Sequence, residues 1–464
     1  MRPKESIGLQ GYFWLPDNLQ HKIPGTLKVS DSGKVALDVL GTFRELPEFE
    51  PRPAPIIHGV TENGKSATLF DCFTYSTQLR FPGIPKASAT AAYLFLGAHL
   101  HETDPLEFAR VIFSVEGLNQ WLGLTGISVS HEWDAHELKQ AAITFRPPPA
   151  QAYKLGGALD LSIKFRSTIP FGYGSITEAR VAQEAFLEIE AAKPTAFHDL
   201  LRVVHRVNTF LCLAIDEAVA LTGVGVSSPT ISETIGENTR PVGLQVYFPS
   251  LPHSEKAPAV DSHRLLFPYA AVAANLGDLI SAWLADYEVL EPAINLYFAS
   301  TTARHAYVET RFLFLVQGLE TFHRRTSDKT VMPDSEFQDV KRTVLSMCPQ
   351  SHTEWLKTRL TYANELSLRQ RLRALIDPIS HYFGDSSRVG ALIHEVVTTR
   401  NYLTHYDKSS KQAALSGEAL SEVSMKLEAM FTLLFLRRFG FTTDQLDQVA
   451  GGNYRVAQKL KGEI

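Results

Sequence analysis

Apolar and polar residues alternate along the chain to about residue 175, with the period of two that is typical of β-strands facing a core on one side. Turn sequences separate the alternating segments, and the clearest is Glu62-Asn63-Gly64, because Asn-Gly is a preferred hairpin turn. The pattern predicts strands at residues 26–30, 34–40, 56–60, 66–70, 93–96, 110–115 and 156–165. We expect an antiparallel sheet, arranged as a sandwich or barrel, with added helices such as 196–214.

Beyond about residue 260 the apolar positions recur instead at steps of three and four residues, the spacing of one face of an α-helix. A stretch rich in Ser, Pro, Gly and Thr, about 225–260, separates the two patterns. We therefore expect an α+β protein in which residues 1–255 form a β-rich sensing or regulatory domain and residues 256–464 an all-α helical bundle. The helices predicted for the bundle are 266–285, 291–299, 303–325, 335–348, 353–363, 366–376, 388–404 and 417–439.

Polar residues follow an apolar stripe at the end of the predicted helix 388–404. The helical steps of Val389, Leu392, Ile393, Val396 and Val397 lead on to Arg400, Asn401, Thr404 and His405. A buried arginine or histidine is costly unless it is paired or used, so these residues are candidates for a functional site. The spacing of the arginine and the histidine is common by chance, and what distinguishes this pair is its position at a helix end beside Asn401.

Two further groups of charged residues are candidates for the same site. Glu320 continues a stripe of helical steps formed by Leu313, Val316 and Gln317. Two explanations stay open: Glu320 neutralises a buried arginine in an ion pair, or it orients Arg400. The cluster of Arg369, Arg371 and Arg373 is either a solvated helix face or a patch that binds RNA phosphates.

Composition limits the classes of function. The formal net charge of −5 over 464 residues argues against an electrostatic grip on nucleic acid by the whole molecule, so any RNA contact must be local. The three cysteines are far apart, and neither a signal peptide nor an apolar run long enough for a membrane span is apparent. We therefore expect a cytoplasmic protein that does not enter the membrane.

Metal and nucleotide motifs are incomplete in this chain. In His131-Glu132-Trp133-Asp134-Ala135-His136 four residues separate the histidines, whereas the zinc-protease motif has three. Gly223-Val224-Gly225 lacks the further glycine of a dinucleotide loop and the lysine of a phosphate loop, and we expect a turn there. The sequence therefore predicts neither a metal nor a cofactor.

A histidine and an arginine suit the cleavage of RNA without a metal. RNA carries its own nucleophile, the ribose 2′-hydroxyl, so the protein has to supply a base, an acid and a cation that stabilises the phosphorane charge. One histidine and one arginine are few groups for this work, whereas two copies of the chain in a symmetric dimer provide both base and acid. We therefore expect a homodimer with a composite active site.

The helical part, with the motif Arg400, Asn401 and His405, resembles a HEPN domain, a family of helical bundles that includes many metal-independent ribonucleases. Several motifs of the first domain resemble the β-rich N-terminal domain of ApeA-type antiphage proteins: Gly11-Tyr12-Phe13-Trp14-Leu15-Pro16, Pro24-Gly25-Thr26-Leu27, Ile56-Ile57-His58-Gly59 and Thr68-Leu69-Phe70-Asp71-Cys72. The resemblance implies an abortive-infection factor that an unknown phage-derived trigger activates. It then cleaves host RNA, with tRNA the expected substrate.

The resemblance also implies roles for individual residues. His405 is expected to act as general acid and base, Arg400 to bind the phosphate and the transition state, and Asn401 to position the phosphate or the histidine. Tyr406 and Asp407 are supporting candidates that contact RNA or the catalytic groups. An alternative from another class stays open: a non-catalytic, dimerising or ligand-sensing scaffold in which Arg400 and His405 merely cap and pair.

Overall fold

Six antiparallel strands up to Leu96 close into a barrel in the computed structural model of the protein. They are β1 (Ile7–Trp14), β2 (Ile23–Val29), β3 (Val35–Leu40), β4 (Ile56–Thr61), β5 (Ser66–Gln78) and β6 (Lys86–Leu96). Their order is β6-β3-β2-β1-β4-β5, and the pairing of β5 with β6 completes the ring. The structure describes residues 1–3, 5, 7–43, 55–78, 82–170, 177–236, 238–302, 307–406, 408 and 411–463.

Alternate residues of the barrel strands form its core, as the period of two predicts. Fully buried members include Leu27, Leu37 and Leu69. Phe13 also lies inside, against β4, where a Cβ on Gly59 would come within 2.4 Å of the Phe13 ring. Only glycine leaves room for this close approach.

An open antiparallel sheet continues from the barrel. The elements that follow β6 in this part are β7 (Glu107–Val115), α1 (Leu118–Leu122), β8 (Ile127–Asp134), β9 (Glu137–Phe145), β10 (Gln151–Leu155), β11 (Leu159–Thr168), β12 (Ala182–Ala196), α2 (Phe197–Ile215), β13 (Leu221–Ser227), β14 (Ser232–Ile235), β15 (Asn238–Pro241) and β16 (Leu244–Tyr247). The sheet order is β10-β11-β12-β7-β13-β16, and β16 pairs with β6. Strands β8 and β9 form a separate hairpin, as do β14 and β15.

Helix α2 covers one face of the open sheet, with Phe197 in contact with Phe95 and Phe108 at ring-centroid distances of 5.3 and 5.9 Å. The predicted antiparallel sheet or barrel with added helices is thereby confirmed. The turn predicted at 223–225 is wrong, because these residues belong to β13. They line a cavity of about 750 Å³, where the missing side chain of Gly223 leaves open space.

The remaining helices are α3 (Leu276–Thr302), α4 (Val308–Thr326), α5 (Asp334–Met347), α6 (Thr353–Arg359), α7 (Leu368–Ile376), α8 (Ser386–His405), α9 (Gly417–Arg438), α10 (Thr443–Asp447) and α11 (Tyr454–Lys461). The chain forms two compact units, Met1–Leu284 and Ala285–Ile464, and the boundary falls within α3. The predicted division of functions between residues 1–255 and 256–464 stays a prediction.

Two of the predicted helices are in fact one. Helix α3 continues through residues 286–290, which separate the predicted helices 266–285 and 291–299, and it also contains Pro292. Packing outweighs the loss of one backbone hydrogen bond at this proline. Residues 303–306, where the predicted helix 303–325 begins, lie outside the described residues. The short helices α10 and α11 were not predicted, because they are too short to display a clear period.

Aromatic side chains of α3, α4 and α9 form the core of the second unit. Tyr297 and Phe322 contact Phe435 at ring-centroid distances of 5.5 and 5.6 Å, and Phe431 stacks on Phe435 at 4.6 Å. Helices α4 and α9 approach closely at Gly318, where a Cβ would lie 2.6 Å from the ring of Phe431. Among the described residues, no helix has the length and apolar character that a membrane span requires.

Candidate functional site

The predicted site residues lie at the C-terminal end of α8. This helix begins after Asp385, whose carboxylate accepts a hydrogen bond from the Arg388 N–H at 2.9 Å, as N-cap residues do. It ends at Tyr406, which adopts the left-handed conformation (φ 51°) and donates its N–H to the Tyr402 carbonyl at 2.6 Å. Both ends of α8 are therefore defined by local hydrogen bonds.

The buried face of α8 differs from the predicted stripe at its last two turns. It consists of Val389, Leu392, Ile393, Val396, Thr399 and Leu403. Asn401 and His405 are exposed, so the prediction that the apolar stripe leads on to them is wrong. Steps of three and four residues from Val396 reach both 399 and 400, and the Thr399 hydroxyl is fixed inside because it accepts a hydrogen bond from the Leu415 N–H at 3.0 Å.

Arg400 is half-buried, with 29 % of its side chain exposed. Its guanidinium donates from Nη1 to Asn401 Oδ1 at 3.1 Å and from Nη2 to Glu320 Oε2 at 3.3 Å. The Thr404 hydroxyl donates to the Arg400 carbonyl at 2.7 Å. The planar fork that suits phosphate oxygens is thus held in place from two sides.

His405 is exposed one turn beyond Asn401, and it makes no hydrogen bond to any of the described residues. Tyr406 beside it is 66 % exposed, and its ring lies 5.5 Å from that of Tyr402. Asp407, the other supporting candidate, lies outside the described residues. A histidine at such a surface is free to exchange a proton with a bound substrate.

A series of alternating charges continues from Arg400 across α4. Glu320 receives Arg400 on one carboxylate oxygen and Arg324 on the other, at 3.1 Å from Nη2 and 3.3 Å from Nε. Arg324 also pairs with Glu365, which accepts a further hydrogen bond from Arg371 Nη2 at 3.3 Å. Each carboxylate is therefore shared by two arginines.

The series ends at a buried histidine. Arg371 is 4 % exposed, donates to the Leu366 carbonyl at 3.0 Å and lies 3.2 Å from His323 Nδ1. Burial, and then the positive charge of Arg371, lowers the pKa of His323. His323 is neutral at neutral pH for this reason, and it can accept the hydrogen bond from Arg371.

The three arginines of α7 do not share one surface. Arg371 points to the interior, so it is not available to RNA in this structure. Arg373 is exposed and pairs with Asp377 at 2.9 Å. Arg369 is exposed and lies 3.1 Å from Nδ1 of His394, on the face of α8 that carries Asn401 seven residues later. Seven residues of helix span about 10 Å, so Arg369 extends the exposed site along α8.

Metal-ligating side chains are not grouped in the part of the chain that the structure describes. No set of three or more His, Cys, Asp or Glu residues there has the geometry to hold a metal ion. His131 and His136, whose spacing does not fit the zinc-protease motif, lie in and beside the exposed hairpin of β8 and β9. The candidate site consists instead of arginine, asparagine, histidine and glutamate side chains.

Comparison with known families shows to which protein family the chain belongs. The family model described as ApeA N-terminal domain 1 matches residues 8–283, more than half of the chain, and the model described as Apea-like HEPN matches residues 313–445. The chain belongs to the ApeA family. It matches no curated protein and no solved structure.

Membership of the ApeA family confirms the resemblance seen in the sequence for both parts of the chain. It places the protein among antiphage-defence proteins with a HEPN domain, and HEPN domains generally carry ribonuclease activity. The HEPN match includes α7, α8 and most of α4, the helices that carry the charged series and the end of α8. The roles of the individual residues stay a prediction.

Some residues of the candidate site were not among the candidates from the sequence. Arg324 stands four residues after Glu320, a spacing at which opposite charges meet on a helix, and this signal could have identified it. Glu365 and His323 offered no comparable signal. Glu365 reaches Arg324 from a loop distant in the sequence, and His323 contacts Arg371 on another helix.

Proposed function

We propose that this ApeA-family protein is a metal-independent endoribonuclease that cleaves host RNA, with tRNA the expected substrate, during phage infection. The observation that carries the proposal is the arrangement at the end of α8. There Arg400 and Asn401 are joined by a 3.1 Å hydrogen bond, and the exposed His405 follows one turn later without a partner among the described residues. The arrangement offers a fixed cation and an exposed histidine at one open surface.

The reaction that suits these groups is attack by the ribose 2′-hydroxyl on the adjacent phosphorus. A bond forms between the 2′-oxygen and phosphorus, and the bond from phosphorus to the 5′-oxygen breaks, which leaves a 2′,3′-cyclic phosphate and a 5′-hydroxyl. His405 moves the proton, and Arg400 stabilises the negative charge that develops on the phosphate oxygens. Asn401 fixes the Arg400 guanidinium and offers its own amide to the phosphate.

The proposal includes a homodimer. The base removes a proton from the 2′-oxygen while the acid delivers one to the 5′-oxygen on the opposite side of the phosphorus, and one imidazole cannot do both at once. In a symmetric dimer the second His405 supplies the missing group. A phage-derived trigger is expected to act through the β-rich unit.

One observation favours a second candidate function, a non-catalytic scaffold. The Arg400 guanidinium is already engaged by Glu320 and Asn401, which is how a structural arginine would be held. In that case His405→Ala and Arg400→Ala affect stability or assembly, and cellular RNA stays intact when the wild type is expressed.

The test is to express the wild type, His405→Ala and Arg400→Ala with and without phage challenge, and to sequence the RNA ends that carry a 5′-hydroxyl. We expect new 5′-hydroxyl ends only with the wild type, and the purified protein should produce them in the presence of EDTA. His352→Ala is the matched control, because His352 is an exposed histidine of the same unit outside the site. Unchanged RNA in every strain would contradict the proposal that the protein is a nuclease.

The dimer is tested by mixing the purified variants. If two copies of His405 act together, a mixed dimer of wild type and His405→Ala is inactive, so an excess of the variant suppresses wild-type cleavage. An excess of His352→Ala should leave it unchanged. Activity that follows the amount of wild type alone would argue for a site within one chain.

A further inference from the structure

Glu320 holds two arginines side by side. Its Oε2 accepts Arg400 Nη2 at 3.3 Å, and its Oε1 accepts Arg324 Nη2 at 3.1 Å. Because both guanidinium groups bind opposite oxygens of one carboxylate, they are neighbours on the surface formed by α4 and α8. Arg324 therefore belongs to the surroundings of Arg400, although the HEPN motif does not include it.

Arg324 has donors that no described residue uses. A guanidinium has five N–H groups. Three of them bind carboxylates, from Nε and Nη2 to Glu320 and from Nη1 to Glu365, and the other two have no acceptor among the described residues. The Arg324 side chain is 44 % exposed, compared with 29 % for Arg400 and 5 % for Arg371. Of these three arginines, Arg324 is the most open to a ligand.

The charges of the series do not balance. Three guanidinium groups, those of Arg324, Arg371 and Arg400, face the two carboxylates of Glu320 and Glu365. His323 at the end of the series stays uncharged, because burial and Arg371 lower its pKa. The series therefore carries one positive charge in excess. This excess attracts the phosphates of an RNA strand, each of which carries one negative charge.

We propose that Arg324 binds a phosphate of the RNA strand next to the phosphate held by Arg400, and that Glu320 is the positioning residue that sets the spacing of the two arginines. The identity of the ligand as RNA rests on the proposed function. A purely structural role accounts less well for Arg324, because ion pairs of this exposure contribute little to stability. The buried Arg371 is the partner that anchors Glu365.

The experiment measures binding of a short single-stranded 2′-O-methyl RNA by fluorescence anisotropy, since this RNA lacks the 2′-hydroxyl and is not cleaved. For Arg324→Gln we expect Kd to rise about tenfold, the effect of one hydrogen-bonded charge. The slope of log K against log salt should become shallower by about 0.7, the contribution of one phosphate contact to a single strand. Arg324→Lys should retain the wild-type slope, because it keeps the charge.

Arg342→Gln is the matched control, since Arg342 is an exposed arginine of the same unit in an ion pair with Asp339. It should leave Kd and the slope unchanged. The inference is overturned if Arg324→Gln binds like the wild type, if its slope is unchanged, if the wild type does not bind this RNA, or if weaker binding accompanies a lower melting temperature. If the wild type binds, Arg324→Gln binds weakly and neither cleaves RNA, the proposed catalysis fails while the Arg324 site stands.

Discussion

At the scale of single residues, Glu320 connects the candidate site to the rest of the helical unit. It is the side chain that both Arg400 and Arg324 contact, and 22 % of it is exposed. Its contact with Arg400, 80 residues away, agrees with the sequence hypothesis that placed a carboxylate near this arginine. That hypothesis relied on helical steps alone, and the structure adds that one carboxylate serves two arginines.

Glu320→Gln should impair turnover without weakening RNA binding. Glutamine keeps the shape of the side chain but not the negative charge that lies between the guanidinium groups of Arg324 and Arg400. Without this charge the two cations repel each other, so the Arg400 guanidinium shifts, and the net charge of the site becomes more positive. We expect kcat to fall about tenfold to a hundredfold, as misplaced catalytic groups do, with no rise in KM. Steady-state kinetics on RNA measures both, and Glu336→Gln on α5 is the exposed control. An unchanged kcat would exclude the positioning role.

Thr399 fixes the chain that follows the site. Its buried hydroxyl accepts the Leu415 N–H at 3.0 Å. Thr399→Val has nearly the same shape but leaves this N–H without its acceptor, which costs about 1–3 kcal/mol. Urea unfolding measures the loss. Thr404→Val is the control, because Thr404 is exposed on the same helix, and an equal loss in both variants would contradict this account.

At the scale of elements, three charged side chains, one of them a buried carboxylate, join helices α4, α9 and α11 of the second unit. Glu428 on α9 is 3 % exposed, pairs with Arg311 on α4, and accepts a hydrogen bond from Lys459 on α11 at 2.8 Å. Burial opposes the charge of this carboxylate, yet the two cations lower its pKa below the usual value. The short helix α11, which has one buried residue, Val456, is held by this contact in particular.

Glu428→Gln should destabilise the helical unit by about 3–5 kcal/mol, because the change removes the buried anion that pairs with the partly buried Arg311. Glu418→Gln, an exposed carboxylate on the same helix, should cost less than about 1 kcal/mol. The folded pKa of Glu428 is depressed, so its stabilisation is present above the unfolded pKa of about 4.3 and is lost as pH falls through the folded value. Urea unfolding between neutral and acid pH should show this loss in the wild type and not in the variant.

Local sequence patterns predicted the strands and helices better than they predicted which strands pair with each other. The hairpin of β4 and β5 follows from Asn63-Gly64, since its strands are neighbours in the sequence. The pairing of β1 with β4 and of β16 with β6 joins distant segments and has no local signal. In the same way, the assignment of Arg400, Asn401 and His405 to a site stays a prediction, and the sequence pattern placed Asn401 and His405 on the buried face although both are exposed. The choice between Thr399 and Arg400 as the buried residue depends on the Leu415 backbone.

At the scale of the whole molecule, the net charge of −5 contrasts with the excess positive charge at the end of α8. RNA should therefore be held by few contacts, those of Arg400, Arg324 and Arg369. A single strand loses about 0.7 units of log K per phosphate contact for each unit of log salt, so we expect a slope of about −2. Anisotropy with 2′-O-methyl RNA at several KCl concentrations gives the slope. A value more than twice as steep would indicate a wider binding surface.

The cysteines report on the folding of the two units. Burial raises the pKa of Cys72 and Cys212 in the first unit to about 12, whereas Cys348 in the second is half-buried. The thiolate is the reactive form, so Ellman's reagent should modify Cys348 alone in the native protein and all three thiols in guanidinium. Cys348→Ser serves as the control and should show no native reaction. Rapid modification of that variant would show that the first unit opens readily.

Strand β6 has consequences for the order in which the chain folds during synthesis. Its first part pairs with β3, its last residues pair with β16, and β5 lies along its other side. All barrel strands are present once Leu96 has left the ribosome, whereas β16 ends at Tyr247. At about 5–20 residues per second, the end of β6 waits roughly 8–30 s for its partner. During that interval the end of β6 presents an unpaired strand edge. We therefore expect chaperones to bind the nascent chain before its helical unit has been synthesised.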